Sequence, residues 1–157
     1  MNYDALSPVA EFNNLAGNRK GGGVGDQLRY IAEEYTELLD AVISKDSEEA
    51  IIKEAADLIV TATGLLHRMG YNPNEVMEEV NKSNMSKFCD NLDDANKSVD
   101  FHKNAGRYED VHFKVIDGKF VILGKAKGGN GYKILKSVNY VEADLSEVCR
   151  EKQSAEV

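Results

Sequence analysis

The sequence predicts a mainly α-helical bundle with a small β-hairpin extension towards its C-terminal end. Three observations predict it. Apolar residues recur at helical spacing through two long segments, residues 26–44 and 47–69. Capping residues bound both: Asp26 ahead of the first, Asp46 or Ser47 ahead of the second, and Gly70 just beyond it. Past Gly106 the composition turns to β-branched and aromatic runs flanking Asp117-Gly118, a dipeptide that favours tight hairpins.

Taken in order, residues 5–16 form a short first helix with Val9 and Phe12 on one side. Lys20 to Gly25 is a glycine-rich connector; it lacks the Gly-Lys-Ser/Thr ending of a phosphate-binding loop and reads as a plain linker or a lid. Asp26 caps a second helix to Ser44, whose stripe is Leu28, Ile31, Tyr35, Leu38, Leu39 and Val42. The third helix carries Ile51, Ala55, Leu58, Ile59, Ala62 and Leu65, with Glu48 and Glu49 in its first turn, where the helix dipole favours acids. Pro73 or Asn74 opens a fourth helix ending near Phe88, and residues 93–103 form one more. Val111–Ile116 and Lys119–Leu123 are the hairpin strands, and 132–138 is a candidate third strand. This organisation gives a helical core over 1–106, a lysine-containing β extension over 107–145 and a polar tail over 146–157.

At 157 residues the chain has the size of one domain with a small appendage. Its two cysteines, Cys89 and Cys149, match no metal or redox motif and suit a reducing interior. No apolar run reaches membrane-spanning length and the first residues lack the features of a signal peptide, so the expected compartment is the cytoplasm, a host's if the chain is viral. A formal charge of −8 argues against broad nucleic-acid or anionic-membrane binding. That charge is uneven. Residues 26–57 hold ten acids and three basic residues, whereas 111–140 hold six lysines and one acid. The lysines either meet a metal-bound polyphosphate or protect strand edges.

Within the acidic part, Glu34 pairs with Glu37 and Glu54 with Asp57, each at a spacing that brings like charges together on a helix. On a wheel of 100° per residue the second helix's stripe centres near Tyr35 and Val42, with Glu34 roughly 85° and Glu37 roughly 145° away. The third helix's stripe centres near Ala62, with Glu54 roughly 80° and Asp57 roughly 140° away. Two helices thus repeat one design, an apolar face with a carboxylate pair beside it. Oxygen ligands of this kind suit Mg²⁺, with Mn²⁺ able to substitute. A di-iron site would want Glu-x-x-His elements, which the sequence lacks, and His67, His102 and His112 read as structural or surface residues.

These residues carry a resemblance. Glu33-Glu34-Tyr35-Thr36-Glu37 followed by Glu54-Ala55-Ala56-Asp57 resembles the Glu-x-x-Glu … Glu-x-x-Asp signature of the all-α NTP pyrophosphohydrolases, the MazG-like and phosphoribosyl-ATP pyrophosphohydrolase-like enzymes. Met69-Gly70-Tyr71-Asn72-Pro73 and the run from Val80 to Phe88 resemble the phosphoribosyl-ATP pyrophosphohydrolase-like branch, and Tyr132–Ser137 resembles the C-terminal extension of some bacterial and viral members. The resemblance implies an all-α NTP pyrophosphatase bundle assembled as a homodimer or homotetramer. It implies Mg²⁺-dependent hydrolysis of a nucleoside triphosphate to monophosphate and pyrophosphate. Carried onto this chain, Glu34, Glu37, Glu54 and Asp57 bind metal and are catalytic, and Asn81, Asn84 and Lys87 hold substrate.

Other positions read two ways. Glu33 is a general base or a surface acid. Phe12, Asn13 and Gln27 contact the base, or else serve as core packing and surface amides. Lys133 and Lys136 reach phosphates or only solvate the extension. The expected substrate is an NTP or dNTP, with a purine such as dGTP guessed. Phosphoribosyl-ATP is the rival within the class. Outside it stand a non-catalytic helical module that uses metal only to set its oligomeric state, and a partner-binding helical regulator.

Overall fold

The computed structural model describes residues 6–18 and 23–149. The first half of the glycine-rich connector, residues 20–22, and the end of the polar tail lie outside them, so the lid reading is not placed. The described chain is mostly helical: α1 Leu6–Leu15, α2 Val24–Ser44, α3 Glu48–Arg68, α4 Pro73–Met85 and α5 Leu92–Ala105. Strands β1 Tyr108–Ile116, β2 Lys119–Ala126 and β3 Tyr132–Ile134 follow. The expected hairpin is therefore extended by a third, short strand into an antiparallel sheet of order β1-β2-β3. The chain divides into two compact units, one reaching Met77 and rejoined from Leu145 onward, the other Glu78–Asp144.

In the first unit α2 and α3 form a helical hairpin. Lys45 ends α2 in the left-handed conformation, φ 56°, and its N–H returns to the carbonyls of Ala41 and Val42. Ser47 then starts α3 by accepting the Ala50 N–H on its hydroxyl at 3.2 Å. The start of α2 differs from expectation. The cap position is Gly23, with no side-chain cap, and Asp26 lies inside the first turn. A side chain at Gly23 would stand 2.9 Å from the Asp26 carboxylate, so the glycine leaves room for that acid to fold back over the helix start.

The packed face of α2 is also not the one the apolar stripe marks. Gln27 and Ala41 are buried and Ile31, Glu34 and Leu38 half-buried, all on one side of the helix. Tyr35 and Val42, the predicted stripe centre, are 56% and 51% exposed, and Leu28 and Leu39 are exposed beside them. In α3, Thr63 and Gly64 are buried while Ala62, the other predicted centre, is exposed. Periodicity finds an apolar face but does not say what covers it. Here the α2–α3 seam takes Gln27, Glu34 and Ala41 with two members of the stripe, Ile31 and Leu38, and leaves Leu28, Tyr35, Leu39 and Val42 outside.

The second unit has its own core. Cys89, Ala95, Val99, Val111, Ile122 and Leu135 cluster, with Tyr108, Phe113 and Phe120 packed against them. Asn91 caps α5 through the Asp94 N–H, and Gly106 ends it at φ 64°. β1 and β2 join through Asp117 and Gly118, both at positive φ as a tight hairpin turn requires. The register shifts between Glu109 and His112, where Asp110 takes φ 51°, a bulge that kinks β1.

Candidate metal centre

The α2–α3 hairpin brings Glu34, Glu54 and Asp57 together, one carboxylate oxygen from each lying within 4.8 Å of the others. All three are half-buried. They converge because Glu34 sits on the packed face of α2, rather than beside it, opposite the first turns of α3. Glu37, one turn on, is exposed and outside this group. Its charge is nonetheless felt. The Glu34 carboxyl is held above its ordinary value of 4.5, first by burial, then by the charges of Glu37, Asp57 and Glu54.

A cation already stands at the cluster. The Lys53 ammonium donates to Glu54 Oε1 at 3.0 Å and to Asp57 Oδ2 at 2.8 Å. These acids push the lysine pKa far up. The other Glu54 oxygen, Oε2, is buried with no hydrogen-bond partner among the described residues. A buried carboxylate oxygen without a donor is costly, and a divalent cation would satisfy it. The donor set, three carboxylates and no histidine or cysteine, fits a hard ion.

Behind the acids the α2–α3 seam becomes an amide network. Gln27 Nε2 donates to the Thr61 carbonyl at 2.7 Å, Asn18 donates to Asn13 Oδ1 at 2.9 Å, and Arg68 donates to Asn18 Oδ1 at 2.6 Å. Asn13 and Gln27 are each 2% exposed, which excludes the surface reading of both amides. Gly64 makes the network possible: a Cβ there would come 2.6 Å from Gln27 Nε2 and 2.7 Å from Asn13 Oδ1. Gln27 Oε1 and Arg68 Nε are buried without partners among the described residues. Phe12 is 58% exposed, which excludes its core-packing reading.

Other sequence candidates are placed as follows. Glu33 is exposed on α2. Asn81 and Asn84 are exposed on α4 in the second unit, and Lys87 follows, its ammonium donating to Asn84 Oδ1 at 2.9 Å. Lys133 is exposed on β3, and the Lys136 ammonium lies 3.9 Å from the centroid of the Tyr140 ring. His102 is buried and bonded through Nε2 to the Lys136 carbonyl at 2.7 Å, a structural role. Sequence reasoning missed Lys53 and Gly64. Lys53 carried a signal, being the lone base one residue before Glu54 and four before Asp57.

Comparison with known proteins bears on the same segment. An uncharacterized protein of Acanthamoeba polyphaga mimivirus is 31% identical over 83 residues, 51% of this chain and 32% of that protein. The chain thus spans about a third of the length of the curated relative it matches. No helix among the described residues is long and apolar enough to cross a membrane. Residues 19–84, which contain all four expected acids, match the family model of phosphoribosyl-ATP pyrophosphohydrolase, itself a member of the MazG-like NTP pyrophosphohydrolase superfamily.

Proposed function

We propose that the protein is a Mg²⁺-dependent (deoxy)nucleoside triphosphate pyrophosphohydrolase, converting an NTP or dNTP and water to the monophosphate and pyrophosphate. The observation that carries this reading is the convergence of Glu34, Glu54 and Asp57 with one Glu54 oxygen buried and unpartnered. The family match supports the reaction class.

In this reading Glu34, Glu54 and Asp57 hold the cation, and Glu37 joins them when its side chain turns inward. A cation bound there would neutralise phosphate charge and lower the pKa of a water poised to attack the α phosphorus. Glu33, next to Glu34 in sequence, accepts that water's proton. Lys53 swings off Glu54 and Asp57 as the cation arrives, which frees its ammonium for a phosphate oxygen. Asn81, Asn84 and Lys87 hold substrate, with Lys87 oriented by Asn84. Asn13 and Gln27 position the base side of the site through their buried amides, with Phe12 at its edge.

The working form is a homodimer or homotetramer. The exposed row of Leu28, Tyr35, Leu39 and Val42 on α2 supports this, because burying it against another copy removes a continuous apolar stripe from water. The test is a panel of NTPs, dNTPs and phosphoribosyl-ATP with Mg²⁺, assayed for pyrophosphate. Phosphoribosyl-ATP is included because the matching family bears its name. A purine such as dGTP is expected to turn over, and Glu54→Ala to abolish turnover while the helical circular dichroism persists. Absence of pyrophosphate from every member would sink the reading.

A further inference from the structure

Within the second unit, α5, the start of β1 and the chain after β3 enclose a groove of about 980 Å³. Its walls carry Lys87, Arg107 and Lys136 together with Phe101, Tyr108 and Tyr140, and no acidic residue. That is unusual for a chain of net charge −8. We infer that this groove binds a nucleoside phosphate, its phosphates against Arg107 and Lys136 and its base against the aromatic rings, independently of the acidic cluster on α2 and α3.

Pairing of the cations is the first argument. Three other lysines of this unit are neutralised by acids: Lys82 by Glu79 at 2.6 Å, Lys97 by Asp93 at 2.6 Å, and Lys119 by Asp90. Arg107 has no ion pair or hydrogen bond among the described residues, and Lys87 is met only by the neutral Asn84 amide. Lys136 lies over the Tyr140 ring and 3.6 Å from Glu142, whose side chain is largely in solvent. Arg107 and Lys136 facing one cavity with little compensation make a site that favours an anion, and a guanidinium beside an ammonium suits phosphate oxygens.

The groove is also built. Its wall from Lys136 to Tyr140 has no regular secondary structure, yet side chains pin it along its length. Buried His102 holds the Lys136 carbonyl at 2.7 Å, and buried Ser98 accepts the Val138 N–H at 2.9 Å. Ser137 donates to the Ser86 carbonyl at 2.8 Å, and Asn139 donates to Asp94 at 2.8 Å. Buried polar groups committed to a loop fix its shape before any ligand arrives, which lowers the ordering cost of binding. Phe101 meanwhile stands 62% exposed on α5 beside this wall, an apolar ring in water that a nucleobase would cover. The cavity volume falls in the range of small-ligand sites.

The experiment uses the full chain carrying Glu54→Ala, in EDTA, so that the acidic cluster contributes neither metal binding nor turnover. ATP is titrated by calorimetry, with inorganic tripolyphosphate as the ringless probe. ATP binding is expected to persist in this background. Arg107→Gln is expected to weaken both probes by about tenfold. Phe101→Ala is expected to weaken ATP by a similar factor and leave tripolyphosphate unchanged. Both residues are exposed, so the fold should survive, which circular dichroism checks. Three results overturn the inference. One is ATP affinity indifferent to both substitutions, and another is tripolyphosphate binding as tightly as ATP. The third is Phe101→Ala dissociating an oligomer while ATP affinity holds, which would make the groove a contact between copies. None of these bears on whether the wild-type chain releases pyrophosphate.

Discussion

Lys53 and Asp57 stand one helical turn apart on α3, and the ammonium of the first donates to the carboxylate of the second at 2.8 Å. This lysine partly neutralises a cluster that would otherwise hold three converging negative charges. A divalent ion entering the cluster competes with it. Lys53→Met should therefore lower the melting temperature of metal-free protein by roughly 1–3 °C. It should also enlarge the rise that Mn²⁺ produces. Differential scanning fluorimetry with and without Mn²⁺ reads both, and an equal rise in the two proteins would show that lysine and metal do not share the site.

Gly64 gives a packing prediction. A methyl group there must displace the Gln27 or Asn13 amide, and the former is held by Thr61 at 2.7 Å. Gly64→Ala should destabilise the fold by about 1–3 kcal/mol. Gln27→Ala in the same chain should recover part of that loss by making room, so chemical denaturation of the single and double variants should be non-additive.

The exposed stripe of α2 predicts an assembly effect. Leu39→Glu places a charge among Leu28, Tyr35 and Val42 without touching the α2–α3 seam. It should dissociate the proposed oligomer in sedimentation velocity at unchanged helical content. Unaltered sedimentation would mean that the stripe is not the contact between copies.

Asp94 gives a pH dependence. Hydrogen bonds from Asn139 and then Asn91 hold its carboxyl below the ordinary 3.8. The folded state therefore binds that proton more weakly than the unfolded chain. The stabilisation is complete above pH 3.8 and is lost as the pH falls through the lowered folded value. Asp94→Asn should flatten this part of the acid stability curve, measured by urea denaturation across the same window.

Much of this was legible in the residues. Ser47, Gly70, Gly106 and Asp117-Gly118 each act through local backbone chemistry, so the ends of α3, α5 and the hairpin could be placed from sequence. The carboxylate spacing could be read for the same reason. What failed depends on which neighbour a face meets. Tyr35 and Val42 looked like core because apolar periodicity is the same for a core face and an outward one. For Gln27 and Asn13 a surface reading stayed open, because amides are buried only where the fold supplies partners such as Thr61 and Asn18. Phe101 lies on α5 and Arg107 in the link to β1, with no common spacing, so their shared groove exists only after α5 and β1 have packed.

The tight link at Lys45–Ser47 has a kinetic consequence. Because it closes only a short loop, pairing α2 with α3 loses little chain entropy. Contacts this local form quickly, and domains emerging from the ribosome organise from their N-terminal side. Glu34, Glu54 and Asp57 would then be gathered during synthesis, before β1 has left the exit tunnel.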